Sequence, residues 1–268
     1  MSASEKICII GWGAIGKRVA DLLRERKSPT EIVAVAVRDL ACPRPDLPEG
    51  AKVIAAPDSL ATCGATLAVE VAGRGSVLPY GRAALSAGMD FAVSSTSAFV
   101  EEAALSELVR LAERNSCQIL VPPGALGGID ALAAASRLGL TKVEHRIVKP
   151  ARAWAGTKAE DLCDLHNLTQ ACPFFVGSPR EAADGFPKNA NVAVISSLAG
   201  IGMDKTRIAL VADPQASMNR HEIHAEGEFG LLDITIQNRP LASNPKSSEM
   251  TALNLVRLIE SRRAPLVL

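Results

Sequence analysis

Apolar residues first gather in "KICIIG", a continuous run of the kind that a parallel strand buried on both faces needs. Val19, Leu22 and Leu23 then recur in "KRVADLLRERK" at the spacing of a helix with one apolar stripe. "EIVAVAV" predicts a second strand. Beyond the Pro-rich loop "ACPRPDLPEG" the alternation resumes with a strand in "ATLAVEVAG", a helix in "GRAALSAG" and a strand in "DFAVSS". A helix in "EEAALSELVRLAERN" and a strand in "CQILVPP" follow. Strands alternating with helices over residues 1–122 predict an α/β domain built on a doubly wound parallel sheet.

The pattern changes after residue 122. Past "GALGGIDALAAASRLG", the segments "KVEHRIVKP", "NVAVISSLAG", "TRIALVADP", "NRHEIHAEGEFG" and "LLDITIQNRP" read as β-like and lie close together. They predict a second, α+β domain over 123–242 with a mostly antiparallel sheet. In the closing stretch, 243–268, Leu253, Val256 and Ile259 take helical spacing behind a serine cap, and such a helix is expected to pack back on the first domain.

Charge narrows the partners. The chain of 268 residues has 29 basic and 29 acidic side chains, so it lacks the positive field of a nucleic-acid binder. Small molecules or a second copy of the chain are the expected partners. No apolar run reaches the roughly 18 residues of a membrane span, and "MSASEKICII" is a charged start leading into a strand rather than a signal peptide. A cytoplasmic location is the default expectation. Cys8, Cys42, Cys63, Cys117, Cys163 and Cys172 form no CxxC pair and read as reduced thiols. "CDLHNLTQAC" brings Cys163, His166 and Cys172 close in sequence but lacks the regular four-ligand spacing of a zinc site, so no metal is expected.

"GWGAIG" carries Gly11, Gly13 and Gly16 in the dinucleotide fingerprint, directly after a buried strand and at the start of a helix. Gly11 permits the tight turn, Gly13 lets the backbone approach a pyrophosphate, and Gly16 allows close helix-to-strand packing. The N–H groups near Ala14 and Ile15 face the anion. The first domain is therefore expected to be a Rossmann-type dinucleotide-binding domain, the alternative being a Gly-rich turn without a ligand. At the end of the second strand "AVAVRD" puts Arg38 before Asp39. The arginine suits a 2′-phosphate and the aspartate a free ribose hydroxyl, which leaves NAD and NADP both open. "VPPGALGGIDAL" suits either a nicotinamide ribose or substrate carboxylate at a helix N-terminus, or an inter-domain hinge; both stay open.

Two of the four histidines fall in "NRHEIHAEGEFG". Strand alternation sends His221, Ile223 and Ala225 to one face and Glu222, His224 and Glu226 to the other. A shared metal is thereby disfavoured, and His221 joins an apolar face where an imidazole must have a partner or a task. Spacing alone leaves a satisfied core histidine and a catalytic one both open. Lys149, Arg152 and Lys158 around "KPARAWAGT" are candidate partners for an anionic substrate, with a solvated loop as the alternative, and Trp154 among small alanines reads as packing.

These stretches resemble the L-aspartate dehydrogenase family over nearly the whole chain. The likeness is carried by "IIGWGAIG", "PGALGGIDAL", "KPARAWAGT" at 149–157, "FPKNANVAV" at 186–194, "LAGIGMDKTRIALVADP", "NRHEIHAEGEFG" and "NPKSS" at 244–248, in one order. The resemblance implies NAD(P)-dependent oxidation of L-aspartate to iminoaspartate, which hydrolyses to oxaloacetate and ammonia or supplies NAD biosynthesis. It also implies a homodimer built through the sheet of the second domain, which would serve substrate binding and dimerisation. By position, Ala125 in "PGALGG" and Asn191 in "NANVAV" match the family's cofactor contacts, and His221 matches its active-site histidine. With an imidazole pKa of about 6.5, His221 suits a general base facing the nicotinamide across the domain cleft. The family often has a glycine where Ser97 stands, and Arg38 bears against a strict NAD preference. Two-domain reductases acting on homoserine or dihydrodipicolinate share the fingerprint, and a non-catalytic sensor of nicotinamide cofactor is the alternative from another class.

Overall fold

The computed structural model describes residues 4–267. The chain divides into two compact units, one running to Pro122 and resuming at Thr251, the other Pro123–Met250.

In the first unit β1 (Lys6–Ile10), α1 (Ala14–Glu25), β2 (Glu31–Ala36), β3 (Lys52–Ile54) and β4 (Leu67–Glu70) are followed by α2 (Arg74–Ser86), β5 (Asp90–Val93), α3 (Glu102–Asn115) and β6 (Ile119–Leu120). All strand pairs are parallel and the order is β3-β2-β1-β4-β5-β6, so the chain reverses its winding between β1 and β4. This is the doubly wound Rossmann-type sheet. Both faces are covered. Ile7, Ile9, Leu67 and Val69 pack against Val19, Leu22 and Leu23 of α1, while α2 presses on the other face. A Cβ on its Gly81 would lie 2.9 Å from the Phe91 ring. The helix starts seven residues before the expected "GRAALSAG", because Pro79 sits inside it and disguises its first turns. The short edge strand β3 escaped the pattern altogether.

The second unit contains α4 (Ile129–Ala135), β7 (Leu140–Pro150), α5 (Ala159–Leu162), β8 (Cys172–Gly177), α6 (Pro179–Gly185), α7 (Ala190–Ala199), β9 (Arg207–Asp213), β10 (Asn219–Gly227) and β11 (Gly230–Asn238). Its sheet runs β11-β10-β7-β9-β8, with β7–β9 parallel and the other neighbours antiparallel. One expected β-like segment is a helix: "NVAVISSLAG" forms α7. The run from Ala193 to Ser197 is buried on all sides, so no polar face marks a helical period, and an apolar run of this kind does not separate a buried helix from a strand. Ile147, Ile208, Leu210 and Ala212 pack with Trp154, Phe186 and Ala193 to make the core. A two-stranded ribbon, β12 (Pro240–Leu241) with β13 (Asn244–Ser248), leads to α8 (Glu249–Ser261).

From Thr251 onward α8 belongs to the first unit. Its Ala252, Leu255, Val256 and Ile259, spaced on one helical face, are buried with α1 against β1 and β4. Ion pairs finish the contact: Arg262 reaches Glu5 at 2.8 Å and Asp90 at 2.8 Å, and Arg263 reaches Glu5 at 2.6 Å. Burial alone would raise the Glu5 carboxyl, but bonds from Arg262, Thr66 and Arg263 outweigh it and hold the group below its ordinary value of 4.5. A depressed folded pKa makes the contribution of Glu5 complete above pH 4.5, to be lost as the pH falls from there through the folded value. Glu5→Gln is therefore expected to lower the urea midpoint at neutral pH, with the gap to the unsubstituted protein closing on acidification; a gap independent of pH would contradict this.

Candidate active site

The carboxyl ends of β1, β2 and β4 surround a cavity of about 640 Å³ in the first unit, at the point where the winding reverses. Gly11 and Gly13 line it, together with Arg38, Arg44 and Arg74. Gly11 has φ +100°, and a Cβ there would lie 2.7 Å from Ala72 Cα. Gly13 caps α1 with open space where a side chain would stand, whereas a Cβ on Gly16 would lie 2.3 Å from the Gly11 carbonyl oxygen. The first helical bond is Lys17 N–H to Gly13 O, so the N–H groups of Ala14, Ile15 and Gly16 have no acceptor within the helix. No side chain caps this end and its first turn has no acidic residue. These features leave a helix N-terminus open to an anion, and they fit a dinucleotide pyrophosphate.

Arg38 faces the cavity. Asp39 instead accepts the Ala41 N–H at 2.9 Å. Ser97 lies in the 3₁₀ turn Thr96–Val100, and among the described non-glycine residues only Lys27 and Ser116 have positive φ, so the absence of glycine causes no strain there.

Sequence reasoning missed the group that shapes the cavity's edge. Glu70, fully buried at the end of β4, accepts from Ala72 N–H (2.8 Å), Gly73 N–H (2.8 Å) and the Ser76 hydroxyl (2.9 Å). It also accepts from Ser95 N–H (3.0 Å) and the Ser95 hydroxyl (2.9 Å). A single carboxylate thus satisfies donors from two loops and from the first turn of α2, and the loop after β4 lines the cavity.

In the second unit, β10 places His221 opposite Ile147 of β7 and Ile223 opposite His145, on the face covered by α7. Alternation separates the two histidines as expected, with His221 buried and His224 bonded to Asp233 on the other face. Carboxylates Glu226 and Asp233 hold the His224 pKa up. His221 behaves in the opposite way. Its pKa is not the ordinary 6.5: burial, and then the charge of Lys149, push it down to about 3. His145, not singled out from the sequence, contacts it: His145 Nε2 lies 3.2 Å from His221 Nδ1. Burial, then the charge of His221, also lowers His145 well below 6.5, so this is a neutral pair.

Lys149 follows His145 and Ile147 on the same face of β7. It donates to Asn189 Oδ1 and stands 5.0 Å from the Trp154 ring centre. Lys149, Lys158, Thr157, Asn189 and Trp154 line a cavity of about 450 Å³, whereas Arg152 does not. Trp154 is a packing residue as expected, edge-on to Phe174 at 4.8 Å, with Nε1–H donating to Val211 O at 3.0 Å. The Ala125 carbonyl accepts from Asn238 Nδ2 at 2.6 Å, and Asn191 is the second residue of α7. Among the described residues no group of three or more His, Cys, Asp and Glu side chains forms a metal cluster.

An open helix N-terminus at the switch point of a parallel sheet is the arrangement of dinucleotide-dependent oxidoreductases, and that is the class the first unit defines. Residues 11–122 match the family described as homoserine dehydrogenase, NAD binding domain, and residues 130–262 the one described as aspartate dehydrogenase, C-terminal. The chain is 62% identical to an L-aspartate dehydrogenase of Brucella anthropi, covering 100% of both chains. It is 40% identical to one from Polaromonas sp., over 98% of this chain and 99% of that one. The solved aspartate dehydrogenase of Thermotoga maritima shares the fold with a TM-score of 0.79 at 24% identity, over 98% and 99% of the two chains. The chain belongs to the L-aspartate dehydrogenase family, whose cofactor is a nicotinamide dinucleotide.

Glu70→Gln replaces an acceptor by an amide that meets donors from both loops. It is expected to weaken cofactor binding roughly tenfold, the scale of losing a charge-assisted hydrogen bond, in a fluorescence titration. Unchanged affinity would show that the loops hold their shape without the carboxylate.

Proposed function

We propose that this chain is an NAD(P)-dependent L-aspartate dehydrogenase that oxidises L-aspartate to iminoaspartate, which hydrolyses to oxaloacetate and ammonia or supplies NAD biosynthesis. The observation that carries this reading is a buried, neutral imidazole, His221, beside a lysine that lines a cavity. Gly11, Gly13, Ala14, Ile15 and Gly16 hold the dinucleotide, and Ala125 and Asn191 stand at the positions of the family's cofactor contacts. The bound nicotinamide supplies the hydride acceptor for the substrate Cα.

His221 takes a proton from the substrate ammonium, freeing the nitrogen lone pair that forms the imine as hydride leaves. Lys149 and Lys158 receive the carboxylates. The charge of Lys149 disfavours an imidazolium at His221, and a bound carboxylate offsets that charge. Arrival of a dicarboxylate therefore raises the proton affinity of the base that acts on it. Arg38, with Asp39 turned away, gives the adenosine end a partner for a 2′-phosphate, so NADP is accepted as well as NAD. Homodimerisation through the second sheet and a cytoplasmic setting complete the reading; all six cysteines are free thiols, the state that a reducing compartment maintains.

A spectrophotometric scan of amino acids with NAD and NADP is expected to show aspartate-dependent growth of the reduced-cofactor band. Tight cofactor binding without turnover of any amino acid would favour a sensor instead. His221→Ala should keep cofactor affinity and lose turnover by roughly 100-fold or more; unchanged turnover would remove His221 from the mechanism. Arg38→Ala is expected to raise KM for NADP roughly tenfold, the worth of a charged hydrogen bond, with little change for NAD. Equal effects on the two cofactors would assign Arg38 another role.

A further inference from the structure

The imidazole of His221 is the outer member of a buried chain of polar groups. Ser196 on α7, His145 on β7 and His221 on β10 are 0%, 0% and 4% exposed. Ser196 Oγ lies 2.9 Å from His145 Nδ1 and 3.1 Å from the carbonyl of Ala193, one turn back in the helix. His145 Nε2 lies 3.2 Å from His221 Nδ1, with the rings tilted at 54° and their centres 5.4 Å apart.

A carbonyl only accepts, so the inner end of the chain has a direction. If the Ser196 hydroxyl donates to Ala193 O, its oxygen accepts the His145 Nδ1–H. The His145 Nε2 lone pair then accepts the His221 Nδ1–H. His221 Nε2 is left without a proton. The reverse order forfeits the bond to Ala193 O and presents Nε2–H instead, which cannot accept a proton.

We propose that His145 and Ser196 are positioning residues that hold His221 in its Nδ1–H form, leaving Nε2 bare to take the substrate proton. The inference rests on the reading of His221 as the proton acceptor. In the step itself one ammonium N–H bond breaks, its electron pair stays on the substrate nitrogen, and an Nε2–H bond forms on His221. No proton travels further, because His145 keeps its Nδ1–H and Ala193 O takes none. His145 Nε2 continues to accept the Nδ1–H of the imidazolium. A second imidazole thus does the orienting work that a carboxylate does in other histidine-based sites, without placing a charge in the core.

The test needs no variant for its first arm. Long-range proton–nitrogen correlation spectra of 15N-histidine-labelled protein at neutral pH report the tautomer of each ring, with assignments from His166→Gln and His224→Gln and the two inner rings told apart by His221→Gln. His221 is expected as Nδ1–H with a bare Nε2; an Nε2–H form would overturn the proposal. In the second arm, His145→Phe and Ser196→Ala are expected to lower kcat about tenfold to a hundredfold, the scale of losing the group that orients a functional histidine. KM for aspartate and cofactor affinity should move little. His145→Gln, which retains an acceptor, should recover part of kcat and the wild-type His221 signature. Unaltered kcat and an unaltered signature in His145→Phe would overturn the proposal. Full activity of His221→Ala would instead refute the catalytic reading, while the spectra would still report whether the chain sets the tautomer.

Discussion

Two imidazoles in contact inside an apolar core are the constraint on which the second unit depends. His145 and His221 cannot both be charged at that depth, and neither can be left without hydrogen-bond partners. Three elements meet that demand together. β7 and β10 bring the rings into contact through antiparallel register, and α7 supplies the serine beneath. Lys149 lies on the same strand face, and its charge suppresses the imidazolium further. The neutral, oriented histidine of the proposed mechanism is thus a product of packing.

The first unit solves a similar problem with opposite chemistry. Glu70 is buried beside the cavity, and the donors it collects come from the two loops that follow β4 and β5 and from the first turn of α2. Glycine does the rest. Contact distances at Gly11 and Gly16 leave no volume for a side chain, while Gly13 stands open at the N-terminus of α1. One unit therefore surrounds a buried carboxyl group with donors, and the other keeps its buried rings neutral.

The parallel sheet was legible because strands buried on both faces read as unbroken apolar runs, and the fingerprint was legible because its residues are adjacent in sequence. α7 was not, since burial on every side erased the periodicity that identifies a helix. α6 carries its start signal in the sequence: Ser178 and Glu181 form a capping box, with Pro179 in the first turn. At the site, alternation separated His221 from His224, but the task of His221 came from resemblance. The same alternation along "KVEHRIVKP" places His145 with Ile147 and Lys149, so His145 was within reach of sequence reasoning. Ser196, Asn189 and Glu70 were not, because their roles arise from partners far along the chain or across loops of no regular pattern.

The central claim is that His221 and Lys149 act on one substrate. A crystal structure with oxidised cofactor and a four-carbon dicarboxylate lacking the amino group tests it most directly. The account predicts a carboxylate oxygen at roughly 3 Å from Lys149 Nζ, the length of a charge-assisted hydrogen bond, with His221 Nε2 facing the carbon that would carry the amine. An ordered dicarboxylate away from both residues, or a His221 Nε2 turned into the protein, would contradict it.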